Sequence, residues 1–216
     1  MLKAVLWDND GILVDTEELY FTATHEVLLE VGIRLTTELF MQISLKQGQS
    51  TFDLAARQGA APEVIARLRD DRNRRYSELL RNGVRIMDGV EDTLRHLQGK
   101  AIMGVVTSCR KEHFEIIHSG TGLLHFFDFV LTRDNYKKSK PNPEPYLTAL
   151  SQTGLEPQDC IVVEDTERGL AAAKAAGIRC LVVPNALTLG SKFTGAYRVL
   201  ESVRDVAGEV DRLLSR

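Results

Sequence analysis

AVLWDNDGILVDTE, residues 4–17, sets an apolar run directly against two carboxylates one residue apart, with a glycine behind them. The run Ala4–Trp7 has the short, uninterrupted apolar character of a strand covered on both faces. Asp8 and Asp10 follow at its C-terminal end. Carboxylates that close repel by roughly 4 kcal/mol per pair at an effective dielectric near 20, so the arrangement calls for a cation or for chemistry that uses the repulsion. A tight turn is the plain alternative, because Asp-x-Asp-Gly suits turn geometry. The pair alone does not decide between them.

Working outward, AIMGVV before Thr107, FVL before Thr132, CIVV before Glu164 and CLVV before Pro184 read as further buried strands. Between them HFEIIHSG, PEPYLTALSQTG and ERGLAAAKAAG carry apolar or small residues at helical spacing and end at a glycine, as C-capped helices do. Strands alternating with helices imply right-handed βαβ units, hence an α/β fold with a Rossmann-like parallel sheet. One connection breaks that pattern. More than seventy residues, Asp15 to Asp88, separate the first two strands, where a single crossover helix would suffice. This stretch has helical patterns of its own: ELYFTATHEVLLEVG, a middle helix near Phe52 to Gln58, and PEVIARLRDDRNRRYSELLRNG with Pro62 at its start. The expected organisation is a catalytic core of residues 1–14 and 89–216 with an α-helical cap domain, 15–88, threaded into it.

A chain of 216 residues with 44% hydrophobic and 26% charged side chains is long and apolar enough to bury a substantial interior. Its formal net charge of -3 gives no general attraction to nucleic acid. The basic run RLRDDRNRRY, Arg67 to Tyr76, is interleaved with acids at helical spacing and reads as a solvated helix face. Cys109, Cys160 and Cys180 have no CxxC spacing and sit in or beside strand-like runs, which suits reduced, buried thiols. MLKAVLWDND runs straight into a strand without a signal-peptide pattern, so a cytoplasmic location is expected. The longest apolar runs are too short to cross a bilayer. No nucleic acid or membrane partner is expected, and the chain is expected to be a monomer or weak homodimer.

The unusual polar residues fall at strand ends. Asp8 and Asp10 follow the first strand, Thr107 and Ser108 the second, Lys140 lies in the loop after FVLTRD, and Glu164 and Asp165 close the run IVV. Each has a local reading: a turn, an N-cap, a solvated loop lysine, a helix cap. In a parallel sheet, however, all these ends lie on one edge, the edge where open α/β sheets bind ligands. Clustered carboxylates suit Mg²⁺. A lysine and a hydroxyl beside the same ion supply what a phosphoryl group's oxygens require, so the constellation is one for phosphoryl transfer.

These residues resemble the four motifs of the haloacid dehalogenase superfamily: DNDGILVDTE the first, VVTS the second, KSKPNPEPY the third and VVEDTERGLAAAKAAG the fourth. The subgroup is the one with a helical cap inserted after the first strand, which includes β-phosphoglucomutases and small-molecule phosphatases. The resemblance implies that Asp8 is the nucleophile and forms an aspartyl-phosphate, while Asp10 protonates the leaving alkoxide and then takes a proton from the hydrolytic water. It implies that Thr107, with the backbone of Ser108, holds the phosphoryl group and that Lys140 bridges it to Asp8. Mg²⁺ would be bound by Asp8, the Asp10 carbonyl and Asp165, with Glu164 acting directly or through a water. Gly11 would let the chain turn past the phosphate. Thr16 and Lys46 are the remaining expected substrate contacts.

The expected activity is Mg²⁺-dependent hydrolysis of a small phosphate monoester, a small phosphorylated metabolite being the expected partner, with a β-phosphoglucomutase-like phosphotransferase as the alternative. Tyr20 stands where those mutases carry a histidine, and SLKQGQSTFD lacks the arginine of their cap loop. Dehalogenases of the superfamily lack the second acid, so Asp10 speaks against carbon chemistry. Lys46 stands near the position of the Schiff-base lysine of phosphonoacetaldehyde hydrolases, though a lone lysine in a polar loop is more simply a phosphate contact or solvated. His25, His96, His113, His118 and His125 show no ligand spacing and are expected in packing or surface roles. A receiver domain would place its phosphorylated aspartate after a later strand. A binding module on a retired core would not need every core motif intact.

Overall fold

The computed structural model describes residues 1–215. In chain order the elements are β1 Ala4–Trp7, β2 Val14–Asp15, α1 Glu17–Leu29, α2 Thr37–Phe40, a π-helical turn Met41–Lys46, α3 Asp53–Arg57, α4 Pro62–Arg81, β3 Arg85–Ile86, α5 Val90–Leu97, β4 Ile102–Val106, α6 Lys111–His118, β5 Phe129–Leu131, α7 Glu144–Thr153, β6 Cys160–Glu164, α8 Glu167–Ala175, β7 Arg179–Val182, β8 Arg198–Val199 and α9 Arg204–Leu214. Six of the strands form one parallel sheet in the order β5-β4-β1-β6-β7-β8. β1 lies between β4 and β6, with Val5 opposite both Met103 and Ile161. The chain builds the sheet outward on one side of β1 and then on the other. The crevice of such a sheet opens at that reversal, beyond the C-terminal ends of the strands.

Alternation along the strands divides the core. Val5, Trp7, Val105, Ile161 and Val163 pack against α5, α6 and α9, while Ala4, Leu6, Val106, Cys160 and Val162 pack against α7 and α8. Both faces are covered, which is why the strands read as unbroken apolar runs. α7 and α8 are followed by Gly154 and Gly177 in the left-handed conformation, at φ 67° and 76°. α6 departs from expectation: it stops at Ser119, and the left-handed glycine is Gly122, not Gly120.

The long connection is helical. β2 and β3 pair antiparallel, Val14 with Ile86 and Asp15 with Arg85, and Arg85 Nη2 donates to Asp15 Oδ2 at 2.7 Å. This short ribbon sets the outgoing and returning chain side by side. Between the two, α1 to α4 enclose their own apolar cluster, including Val27, Leu28, Phe40, Phe52 and Leu68. α4 begins at Pro62 as the sequence implies. The segment meets the rest of the molecule at several points: Leu187 packs on its cluster, Lys46 Nζ stands 3.7 Å from Glu167, Gly48 lies against Pro141, and the Tyr76 ring stands edge-on to His113 at 4.9 Å. Among the described residues no helix is long and apolar enough to cross a membrane. Cys109, Cys160 and Cys180 are free thiols.

Candidate active site

Sheet pairing continues one residue past β1, because Asp8 N–H donates to the Val163 carbonyl at 2.9 Å. The backbone then turns sharply. The Asn9 carbonyl accepts from Ile12, Leu13 and Val14 N–H, at 3.3, 2.8 and 3.2 Å. Gly11 completes the turn at φ 81°, and a Cβ there would overlap the Asp165 carboxylate and the Asn185 amide. Only glycine meets both demands. Asp10 is half-buried; Thr16 Oγ1 donates to its Oδ1 at 2.5 Å and Thr107 Oγ1 to its Oδ2 at 3.3 Å.

Beneath Asp8 lies a buried charge network. Lys140 is 3% exposed; its ammonium donates to Glu164 Oε1 at 2.7 Å and the Val106 carbonyl at 2.8 Å, and stands 3.0 Å from Asp8 Oδ1. Burial works against its charge, but Asp8 and Glu164 more than offset this and raise its pKa. Glu164 is fully buried and also accepts from Tyr146 Oη, Asp165 N–H and Thr166 Oγ1, each at 3.1 Å. A Cβ at Gly169 would overlap its carboxylate, so α8 can pass over the site only with glycine at that position. Burial opposes the charge of Glu164, and Lys140 outweighs it and keeps its pKa low.

The neighbouring acids behave differently. Burial, then the charge of Glu164, pushes Asp8 up to about 7 against the pull of Lys140. Burial likewise raises Asp165 well above the carboxylate range, with Glu17 and Glu164 adding to it. Glu17, buried at the start of α1, is pushed up to about 8 by burial although Asn185 and Arg168 oppose the shift. Asn185 Nδ2 donates to both Glu17 Oε2 and Asp165 Oδ2, at 2.7 and 2.8 Å.

Asp8, Glu164 and Asp165 each offer an oxygen within 4.8 Å of the others. Asp165 Oδ1 is buried with no hydrogen-bond partner among the described residues. Hard oxygens, several of them unwilling to ionise together and one without a donor, fit a small divalent cation.

Above this network lies a cavity of about 150 Å³, floored by Asp8, Asp10, Thr107 and Ser108 and roofed by Arg72, Asn73 and Tyr76 of α4. Arg72 stacks over the Tyr20 ring at 4.4 Å. Arg72, Arg110 and Arg168 all line the cavity, and among the described residues none of them makes an ion pair. Cys109 also lines it, and burial, then the charges of Asp10 and Asp8, raises its thiol well above the usual range.

The structure therefore brings Asp8, Asp10, Thr16, Thr107 and Ser108 to the cavity, with Lys140, Glu164 and Asp165 directly below. Several expectations change or sharpen. Thr16 keeps its place at the cavity, but its hydroxyl proton is directed to Asp10, so it also orients the acid. Gly11 packs on Asp165 and Asn185 outside the cavity lining. Lys46 also lies outside it, 47% exposed and facing Glu167, because the π-helical turn points its last residue toward α8. The run RLRDDRNRRY is not wholly solvated, since Arg72, Asn73 and Tyr76 face inward. Thr107 does not cap α6; its hydroxyl accepts from Cys109 N–H at 3.0 Å. Sequence reasoning did not single out Glu17, Asn185, Arg168, Arg72 or Arg110.

The sequence pattern of the Haloacid dehalogenase-like hydrolase family matches residues 5–183. The chain is 32% identical to the Phosphorylated carbohydrates phosphatase of Thermotoga maritima, covering 82% of each chain. It is 29% identical to Protein CbbY of Cereibacter sphaeroides over 96% of this chain and 95% of the other. A crystal structure of CbbY from Rhodobacter sphaeroides in complex with Xylulose-(1,5)bisphosphate superposes with a TM-score of 0.81 at 27% identity, covering 95% of this chain and 96% of that one.

Proposed function

The chain belongs to the haloacid dehalogenase-like hydrolase family and is a phosphatase, and from that premise we propose that it hydrolyses small phosphate monoesters, sugar phosphates foremost, through an aspartyl-phosphate on Asp8. The observation that carries this reading is Asp8 at the cavity floor, with the Lys140 ammonium 3.0 Å away and Asp165 inside the same oxygen cluster. Asp8 Oδ attacks phosphorus as the bond to the leaving alkoxide breaks, and Asp10 gives that alkoxide its proton. Asp10 then takes a proton from water, whose oxygen attacks phosphorus and releases Asp8. Thr16, hydrogen-bonded to Asp10, keeps its carboxyl aimed at the cavity. Thr107 and Lys140 face the phosphoryl oxygens, and Glu164 holds Lys140 in place.

Asp8 and Asp165 would hold Mg²⁺, with Glu164 as the third member of the cluster, although its oxygens are already engaged by protein donors. When bound, the ion supplies positive charge against the phosphoryl oxygens and the ionised carboxylates. Residues 15–88 act as the cap, pivoting at the β2–β3 ribbon to close over substrate and exclude water.

The unpaired Arg72 and Arg110 favour substrates with a second anionic group, as in the bisphosphate bound to the CbbY structure. The arginine missing from the cap loop is thus supplied by α4. Its absence from the loop does not separate phosphatase from mutase, and Tyr20 remains the feature that favours water as acceptor. The test is phosphate release across a panel of sugar phosphates and bisphosphates with Mg²⁺, with Asp8→Asn as the blank. Release by wild type and none by the variant is expected. No release across the panel, or an active Asp8→Asn, overturns the reading. Interconversion of glucose 1-phosphate and glucose 6-phosphate faster than phosphate loss would establish the mutase.

A further inference from the structure

Asn9 stands between the two aspartates of the site, and nothing said so far uses its side chain. It is fully buried, and its Oδ1 lies 2.7 Å from Nε2 of His118, a residue 109 positions away at the end of α6. His118 is 5% exposed, and its Nδ1 lies 2.9 Å from Thr121 Oγ1. Thr121 Oγ1 in turn accepts from Leu123 N–H at 3.3 Å. A neutral ring with its proton on Nε2 satisfies the chain, donating to Asn9 Oδ1 and accepting from the Thr121 hydroxyl. Burial, which pushes His118 down to about 4, agrees with a neutral ring.

This arrangement is not the cheapest way to fill the space. Among the described residues Asn9 Nδ2 is buried without a partner, and two apolar side chains of similar volume would leave nothing unsatisfied. What the polar pair does that apolar packing cannot is fix direction. The Asn9 side chain is held from outside the loop, while the Asn9 carbonyl gathers three N–H groups within it. Together they set the peptide planes on either side of Asn9, and through them the mutual aim of Asp8 and Asp10.

We propose that His118, acting through Asn9, is a positioning residue for the phosphatase reaction, holding the Asp8–Asp10 turn in its reactive geometry. The proposal rests on the roles given above to Asp8 and Asp10. It is tested with p-nitrophenyl phosphate and Mg²⁺, following kcat, KM and Tm in parallel. His118→Phe removes the donor; kcat should fall about tenfold or more with KM unchanged within about twofold, and Tm should drop. Asn9→Leu combined with His118→Phe removes both polar groups; Tm should return to within about 2 °C of wild type or above it, while kcat stays low. His118→Gln keeps an N–H donor and should remain within about threefold of wild-type kcat. If kcat recovers together with Tm in the double variant, the pair is packing alone and the proposal is overturned. If the double variant does not regain its Tm, the Gln and Phe variants decide: equal loss of kcat in both overturns the proposal, and rescue by Gln upholds it. Wild type failing to turn over the probe would instead count against the phosphatase reading itself, and is seen before any variant is made.

Discussion

Burial and the charge of Glu164 push Asp8 up to about 7, while Lys140 pulls the other way. Above pH 7 the fold therefore carries an ionised Asp8 that it would be more stable without. Asp8→Asn removes that charge and leaves Lys140 paired with Glu164. Metal-free Asp8→Asn at pH 8 should melt at or above the wild-type temperature although its turnover is lost. Lys140→Met works in the opposite direction, since it strands Glu164 and Asp8 without their cation and should cost about 3–5 kcal/mol. Thermal melts of the two variants check the pair of signs, and both falling together would mean that Asp8 stabilises the fold. The positions of Asp8, Thr107, Glu164 and Asp165 were legible because each closes or follows a strand-like run, and strand ends share an edge; Lys140 was legible through the loop that leaves the same edge after Phe129–Leu131. Asn185 was not. Its two carboxylate partners are 168 and 20 residues away, and nothing local in VVPNAL points to either.

At the scale of elements, α4 explains why its chemistry was misread. Leu68, Arg72, Tyr76 and Leu80 stand four apart, and all but Arg72 are buried core residues. Residues at that spacing share one helix face. An arginine in an apolar stripe is a signal, but it lay inside a charge-rich run that reads as solvated. Arg72→Leu completes the stripe and should leave the Tm of the protein unchanged or raised. For substrates with a second anionic group, KM should rise about tenfold or more, with a smaller change for simple monoesters. Steady-state kinetics on a matched bisphosphate and monophosphate measures this; equal change for both would remove Arg72 from the distal contact. The helical insertion was visible because long helices carry a period, and the α/β alternation because the buried strands read as unbroken apolar runs of three or more residues. β2, β3 and β8 have two residues each, too few for alternation to register. The ribbon on which the cap would pivot was therefore out of reach, even though Asp15 and Arg85 flank the long connection.

For the molecule as a whole, the acidic cluster sets how stability responds to pH and to metal. Asp8 rises from 3.8 to about 7 and Glu17 from 4.5 to about 8, both through burial, and Asp165 shifts the same way. A carboxyl raised in the folded state keeps a proton that the unfolded chain has already released. Its burden is absent below about pH 4, grows as pH climbs from the unfolded value to the folded one, and is complete above it. His118 acts on the acid side: burial lowers it from 6.5 to about 4, so its burden is absent above about pH 6.5, grows as pH falls from there, and is complete near pH 4. A divalent cation held by Asp8 and Asp165 must displace the protons these groups retain. Its stabilisation should accordingly be small at pH 6 and larger at pH 8. Melting the protein with about 5 mM Mg²⁺ and with a chelator at each pH reads this without any substrate. The Mg²⁺-dependent rise in Tm should be greater at pH 8 and should vanish in Asp165→Asn. An equal rise at both pH values, or one that survives Asp165→Asn, would put the ion elsewhere and leave the buried carboxylates without the counter-charge that their convergence at the strand ends requires.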